Sequence, residues 1–334
     1  MDAEKHRIDL KTVASSEASL QTNEDLRGMG IGRLAFIFPG QGSQFAGMGE
    51  KIYERFETAR KIYDEASDHL GMDIKGISFE GPEDKLRQTK YAQPAIFVYS
   101  MALSALLLER EILPAIVAGH SLGEYSALVQ AGVLGLSDGL RVVGLRGELM
   151  QRAGEKNPGK MAAIIGLSER EVVRICRGAD SEGRVVPANF NSRDQIVISG
   201  TPAAVKKAME LAREAGAKRV VELRVNGAFH SSLMEEISHE FERALWAVPM
   251  NRANIPVVVN VSADVVTEAG QIRELLVRQL VSPVKWVQSM EKMVELGVTE
   301  MVETGPGNVL RGLMRKINSS IKVMNAEDLI FSNC

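Results

Sequence analysis

The sequence predicts an α/β protein: a parallel sheet covered by helices, with a smaller β-α-β-β-α-β unit inserted into it. Three observations carry that expectation. Short apolar runs, Leu34–Phe38 and Ala115–Ala118, each end at a glycine-containing turn and lead into helical patterns. Residues 158–225 change rhythm and alternate strand and helix signals in the order of a split βαβ unit. Beyond residue 225 the chain returns to helices and to the apolar run "IPVVVNVS". With 334 residues, 45% of them apolar and 5% aromatic, the chain can fill a large core of the layered helix-and-sheet kind.

Taken in order, Leu34–Phe38 is the first strand, closed by Pro39-Gly40, and helical patterns fill 48–70. "YAQPAIFVYSMALSALLLER" is expected as a long, mostly buried helix entered through Pro94, since proline is tolerated in a first turn. Pro114 opens the strand Ala115–Ala118, followed by the turn "GHSLG" and a helix to about Gln130. Within 158–225, "KMAAIIGL" reads as a strand and "SEREVVRICRGA" as a helix that Ser168 starts and Glu171 completes with a capping box. "VVPANF" and "QIVISG" are strands, and "TPAAVKKAMELAREAGA" is a helix capped by Thr201, with Pro202 first and Gly216 at its end. "KRVVELRV" is the last strand, and the whole unit has the ferredoxin-like order. The expected division is a flexible extension at 1–32, a core of 33–157 and 226–320, the insert 158–225 and a C-terminal tail 321–334. A cleft between insert and core is the expected ligand site.

Forty basic and 43 acidic side chains leave a net charge of −3, which argues against a dedicated nucleic-acid binder. The two cysteines, Cys176 and Cys334, form no metal or redox spacing, so a reducing, cytoplasmic setting is expected. No apolar run is expected to approach the length of a membrane span, since Ala115–Ala118 and Val257–Val261 are both short, and no membrane partner is expected. The first 32 residues hold no aromatic and no apolar stretch but many acids, unlike a signal or transit peptide.

Ser121 stands at the centre of Gly119-His120-Ser121-Leu122-Gly123, between a strand and a helix. It could be an ordinary helix N-cap. Its context, a strand, a sharp glycine turn and a helix, is also that of a strained nucleophile turn, and favours catalysis. Backbone N–H groups at the helix start can stabilise an oxyanion there. A serine nucleophile needs a base, and the chain has five histidines. His6 lies in the extension, His69 and His239 on solvated helix positions, and His120 beside the serine in a turn that points it elsewhere. His230 in "NGAFHSSLM" remains, by elimination and by its place between strand and helix. No carboxylate presents itself as third partner, but a backbone carbonyl can orient an imidazole equally well.

Arg146 is the other anomaly. At about 100° per residue, "SDGLRVVGLRGELMQR" sorts into two faces, and Arg146 falls on the apolar one with Leu140, Val142, Val143, Leu149 and Met150. It is either a snorkelling or ion-paired arginine, or a cation that receives a substrate carboxylate. "FPGQGSQFAGMG" fails the dinucleotide fingerprint because Phe45 occupies the third glycine position. Its loop can instead aim a backbone N–H such as that of Gln41 at the oxyanion. No Walker lysine or metal cluster accompanies these motifs. On the residues alone, a serine esterase remains the alternative to an acyltransferase.

Seven collinear motifs, "FIFPGQGSQ", "YAQPAIF", "GHSLGEYSAL", "LRGELMQ", "GAFHSSLM", "LVRQLVSPVKW" and "ETGPGNVL", resemble those of the malonyl-CoA:acyl carrier protein transacylases, from about Leu34 to Ile317. The resemblance implies a hydrolase-like α/β core with a ferredoxin-like insert, Ser121 as the malonyl-carrying nucleophile and His230 as its base. It also implies an oxyanion hole of the Gln41 and Leu122 N–H groups, Arg146 on the malonyl carboxylate, and Gln279 as the residue whose main-chain carbonyl orients the histidine. Leu122 after the serine and "AFH" before the histidine fit malonyl over methylmalonyl. The implied reaction is ping-pong transfer from malonyl-CoA to the phosphopantetheine thiol of holo acyl carrier protein, for fatty acid synthesis. No permanently bound cofactor is implied, and the protein is expected as a cytoplasmic monomer; an organelle stroma or matrix is the alternative if residues 1–32 are a targeting remnant.

Overall fold

The computed structural model describes residues 34–225 and 227–332; the extension 1–32, with His6, and Cys334 lie outside the described residues. The strands in chain order are β1 (Leu34–Phe38), β2 (Ile116–Gly119), β3 (Lys160–Ile165), β4 (Val185–Ser192), β5 (Gln195–Gly200), β6 (Arg219–Glu222), β7 (Val257–Val258), β8 (Val265–Val266), β9 (Glu300–Glu303) and β10 (Lys322–Asn325). The first sheet has the order β10-β9-β1-β2-β7-β8 and is parallel except for β8. The inner strands β1, β2 and β7 read as unbroken apolar runs because both faces are covered. Phe36, Phe38 and Val117 face the larger core, while Ala35, Ile37, Ile116 and Ala118 face a second layer around Trp286 and Met290.

The run "IPVVVNVS" yields only the two residues of β7, because the chain turns back at once. Ala263 N–H donates to Val259 O at 2.9 Å, Ala263 adopts φ 60°, and β8 returns antiparallel to β7. Pro94 also differs from expectation. The helix runs Thr89–Glu109, so the proline sits inside it, past the first turn, and deprives one carbonyl of its helical donor. Burial of nearly the whole helix offsets that loss. This helix is long and apolar enough to cross a membrane, contrary to the expectation that no run reaches that length, but it is packed inside the protein.

Residues 160–222 form the second sheet, antiparallel in the order β4-β5-β3-β6. The two-residue period of β3 divides its side chains. Ala162 and Ile164 face helices Glu169–Gly178 and Pro202–Glu214, whereas Met161 and Ala163 join the larger core. Burial in that small core pushes the Cys176 thiol up to about 12, leaving it inert at neutral pH. Ser168 and Glu171 form the expected capping box. Thr201 occupies the expected N-cap position, but its hydroxyl makes no capping bond and is buried without a partner, so Pro202 alone marks that start. The two sheets are joined at β4, where Phe190 N–H donates to Val284 O and Val284 N–H to Ala188 O, both at 2.9 Å.

The segment expected as a C-terminal tail is part of the fold. β10 pairs with the edge of β9, and helix Ala326–Ser332 buries Ala326 and Ile330. Tyr99 Oη donates to Glu327 Oε2 at 2.6 Å, tying the last helix to Thr89–Glu109. β10 becomes the new edge of the sheet, and burial of Ala326 and Ile330 beyond it anchors the chain end there. Ile330→Ala should cost about 2–5 kcal/mol in a urea unfolding experiment. A cost within about 0.5 kcal/mol would mark a solvated tail instead.

Candidate active site

The site is built on the turn between β2 and helix Gly123–Gln130. Ser121 takes φ 52°, a left-handed conformation unusual for a residue with a side chain. The flanking glycines are demanded by contact. A Cβ at Gly119 would lie 1.9 Å from Gly123 C, and one at Gly123 would lie 2.1 Å from Phe38 O. The loop after β1 presses equally close, since a Cβ at Gly40 would lie 2.4 Å from His120 O. Gln41 is anchored there by its side chain, whose Nε2 donates to Thr89 Oγ1 at 3.2 Å.

Three chain segments meet at the serine oxygen. Ser121 Oγ lies 2.8 Å from His230 Nε2, and His230 Nδ1 lies 2.9 Å from Gln279 O. The carbonyl can only accept, so Nδ1 carries the proton and Nε2 is the acceptor facing the serine hydroxyl. Arg146 Nη2 donates to Ser121 Oγ at 3.0 Å and to Gln279 Oε1 at 3.1 Å, and Nη1 donates to Gln93 Oε1 at 2.8 Å. The guanidinium also stands 5.2 Å from the centre of the Tyr125 ring. Arg146 is therefore not snorkelling: it is 1% exposed.

The elbow's own N–H groups sort themselves. Ser121 N–H donates to Asn260 Oδ1 at 2.7 Å. The N–H groups of Gln41 and Leu122 donate to nothing among the described residues. Of the other histidines, His69 and His239 are exposed, and His120 turns away to Asn191 Oδ1 at 2.8 Å, with its ring 5.4 Å from that of Trp286. All six sequence-predicted residues thus converge on one turn. Gln93, Glu124, Tyr125 and Asn260 were missed. Asn260 and Gln93 interrupt otherwise apolar stretches, a signal akin to that of Arg146 on its apolar helical face, whereas Glu124 and Tyr125 carry no such signal.

Burial, and then the charge of Arg146, pushes His230 down to about 3, so its imidazole is neutral throughout the neutral range. Burial pushes Glu124 up to about 7. Its Oε2 accepts from Asn260 N–H at 2.7 Å, while Oε1 has no partner. Among the described residues, no group of three or more His, Cys, Asp or Glu side chains is placed to hold a metal ion. A neutral histidine on a serine hydroxyl, beside a fixed cation and two free N–H donors, has the parts for acyl transfer through a serine ester.

A sequence model of the acyl transferase domain matches residues 35–330, and the chain belongs to that family. It is 44% identical over 299 residues to the malonyl CoA-acyl carrier protein transacylase of Bacillus subtilis strain 168, covering 89% of this chain and 94% of that one. The crystal structure of the malonyl-CoA:acyl carrier protein transacylase of Xanthomonas oryzae superposes with a TM-score of 0.85 at 41% identity, covering 88% of this chain and 94% of that one. A malonyl-transacylase solved in complex with a type II polyketide acyl-carrier protein superposes with a TM-score of 0.87 at 38% identity, covering 91% and 100%.

Glu124 gives the site a signature in stability. Its acid is held at about 7 against an ordinary 4.5, so the folded chain binds that proton more tightly than the unfolded one. The stabilisation is complete below about 4.5 and is lost as pH rises through about 7. Glu124→Gln keeps an acceptor for Asn260 N–H and removes the ionisation. Its unfolding free energy relative to the parent should rise by about 2–3 kcal/mol between pH 5 and pH 8. A difference that stays constant with pH would contradict the raised acidity.

Proposed function

We propose that this chain transfers malonyl from malonyl-CoA to the phosphopantetheine thiol of a holo acyl carrier protein, through a malonyl ester on Ser121, in support of fatty acid synthesis. The observation that carries the proposal is the position of Ser121 Oγ, 2.8 Å from His230 Nε2 and 3.0 Å from Arg146 Nη2. The first contact supplies a base, and the second supplies a cation within reach of whatever the serine carries. The names of the relatives, matched over most of both chains, point to the same substrate pair.

In the first half-reaction His230 Nε2 takes the Ser121 proton as Oγ attacks the thioester carbonyl. The oxyanion that forms is received by the N–H groups of Gln41 and Leu122. On collapse the carbon–sulfur bond breaks, His230 returns its proton to the departing CoA sulfur, and Ser121 is left as the malonyl ester. In the second half His230 takes the proton of the carrier's thiol, whose sulfur attacks the ester, and Ser121 leaves with the proton. Throughout, Arg146 holds the malonyl carboxylate bidentately and keeps the acyl group fixed against stray water. The carboxylate has a second effect: it offsets the Arg146 charge that depresses His230, so the substrate itself strengthens the base. The Gln279 carbonyl takes the place of a carboxylate in orienting the imidazole.

The larger sheet and its helices, from 33–157 and from residue 226 onward, belong in this reading to a hydrolase-like core, and 158–225 to a ferredoxin-like insert. The β-α-β-β-α-β order and the strand order β4-β5-β3-β6 support the latter. A cytoplasmic monomer using no resident cofactor completes the proposal, and the bacterial sources of the relatives support the compartment.

Intact mass after brief mixing with malonyl-CoA tests the cycle. The expected result is one added malonyl group on the parent chain, none on Ser121→Ala, and its loss on addition of holo acyl carrier protein with malonyl appearing on the carrier. Free malonate without a persistent adduct would favour the serine esterase.

A further inference from the structure

The strained turn at Ser121 is held from outside by one buried side chain. Asn260 follows β7, is wholly buried, and reaches across the turn with both ends of its amide. Oδ1 accepts from Ser121 N–H at 2.7 Å, and Nδ2 donates to Gly119 O at 2.6 Å. The orientation of the amide is unambiguous, because the first partner can only donate and the second can only accept. The backbone of Asn260 is fixed in turn: its N–H donates to Glu124 Oε2 at 2.7 Å, and its carbonyl accepts from Lys285 N–H at 3.1 Å. Glu124 lies on the helix that the turn itself starts, so the ring Gly119–Ser121–Glu124–Asn260 closes on itself. Gln279 completes the enclosure, with Nε2 donating to Ser121 O at 3.1 Å and standing 3.4 Å from Asn260 Oδ1.

We infer that Asn260 is a positioning residue for the nucleophile: its amide clamps Gly119 O and Ser121 N–H together, sets the angle at which Ser121 Oγ meets His230, and withdraws the Ser121 N–H from the oxyanion. The inference rests on the proposed role of Ser121 as the acylated residue. It follows from two features of the geometry. A residue at φ 52° has no helical or strand partner for its N–H, and a buried donor without a partner costs roughly 1–3 kcal/mol. Asn260 removes that cost only in the conformation that presents Oγ to His230. By occupying the Ser121 N–H it also leaves the Leu122 and Gln41 donors as the free ones at the turn.

An isosteric change makes the inference testable. Asn260→Asp keeps the acceptor for Ser121 N–H but sets a carboxylate oxygen against Gly119 O, acceptor against acceptor at about the 2.6 Å of the present bond. Protonation of the aspartic acid restores the donor. The groups that face it are Glu124, which accepts from the backbone N–H of residue 260, Arg146 and His230 through Gln279, and Lys285 through its backbone. Glu124, held at about 7, and the aspartic acid compete for protons as a like-charged pair, so an ionised Glu124 favours the protonated form of its neighbour.

The rate of Ser121 labelling by a small fluorophosphonate, and separately by malonyl-CoA, is to be measured at pH 8 and pH 6 for the parent chain, Asn260→Ala and Asn260→Asp. Both variants should label about 100-fold more slowly than the parent at pH 8, as expected for a misplaced nucleophile. Asn260→Asp alone should recover about tenfold relative to the parent at pH 6, while Asn260→Ala stays slow. Labelling of either variant at the parent's rate, or an aspartate variant slow at both pH values, would overturn the inference. Failure of the parent to take malonyl while it reacts with the fluorophosphonate would sink the proposed substrate and leave the clamp to be judged by the probe.

Discussion

Everything at this site depends on a single backbone conformation, the left-handed φ of Ser121. An L-residue in that region costs on the order of 1 kcal/mol or more and persists only where its surroundings fix it. Here the fixing contacts come from every direction. Two glycines allow the backbone of β1 and of the helix start to approach below the limit for any side chain, and Asn260 and Gln279 hold the amide on both sides. The result is a serine oxygen carried away from the helix it begins and delivered to His230. That histidine is itself at φ 60° and held by a carbonyl.

The electrostatics beneath the turn follow from the same crowding. Among the described residues no carboxylate is hydrogen-bonded to the buried Arg146; its two terminal nitrogens donate to Gln93, Gln279 and the serine oxygen, its Nε has no partner, and the guanidinium faces the Tyr125 ring. Burying a guanidinium without an anion is costly, and the nearby Glu124 acid is itself pushed toward neutrality, so the charge is left for something outside the chain. A substrate carboxylate meets that need. On the proposed reading an acetyl group, lacking it, would leave the arginine uncompensated and His230 depressed.

Much of this arrangement was legible in the sequence because it depends on residue types that have few substitutes. Only glycine permits the close approaches at 119 and 123, only serine among the nearby residues is a nucleophile, and an arginine on an apolar helical face is conspicuous. Gln279 became visible only through resemblance, since the contact that matters is its main-chain carbonyl and any side chain would provide one. Asn260 and Gln93 carried a readable signal, a polar residue within "VVVNVS" and within "YAQPAIF", but short apolar runs hide such residues among ordinary core positions. At the level of the fold, the paired strands and the insert's element order followed from period and turn residues. β7 is shorter than the apolar run that contains it because its stop comes from a turn after Val259 that no glycine or proline marks. β10 is not legible in the sequence because four residues are too few to show a period, and only the open edge of β9 gives them a place.

Whether Arg146 selects the acyl group by its carboxylate, as proposed, is read from the ratio of Ser121 acylation rates from malonyl-CoA and acetyl-CoA, in the parent chain and in Arg146→Ala. In Arg146→Ala the malonyl preference should collapse by about two orders of magnitude, on the scale of one lost bidentate charge-assisted pair, with acetyl transfer equal or faster. A variant that keeps the parent's preference for malonyl would show that the arginine serves the packing of the site and that selection lies elsewhere.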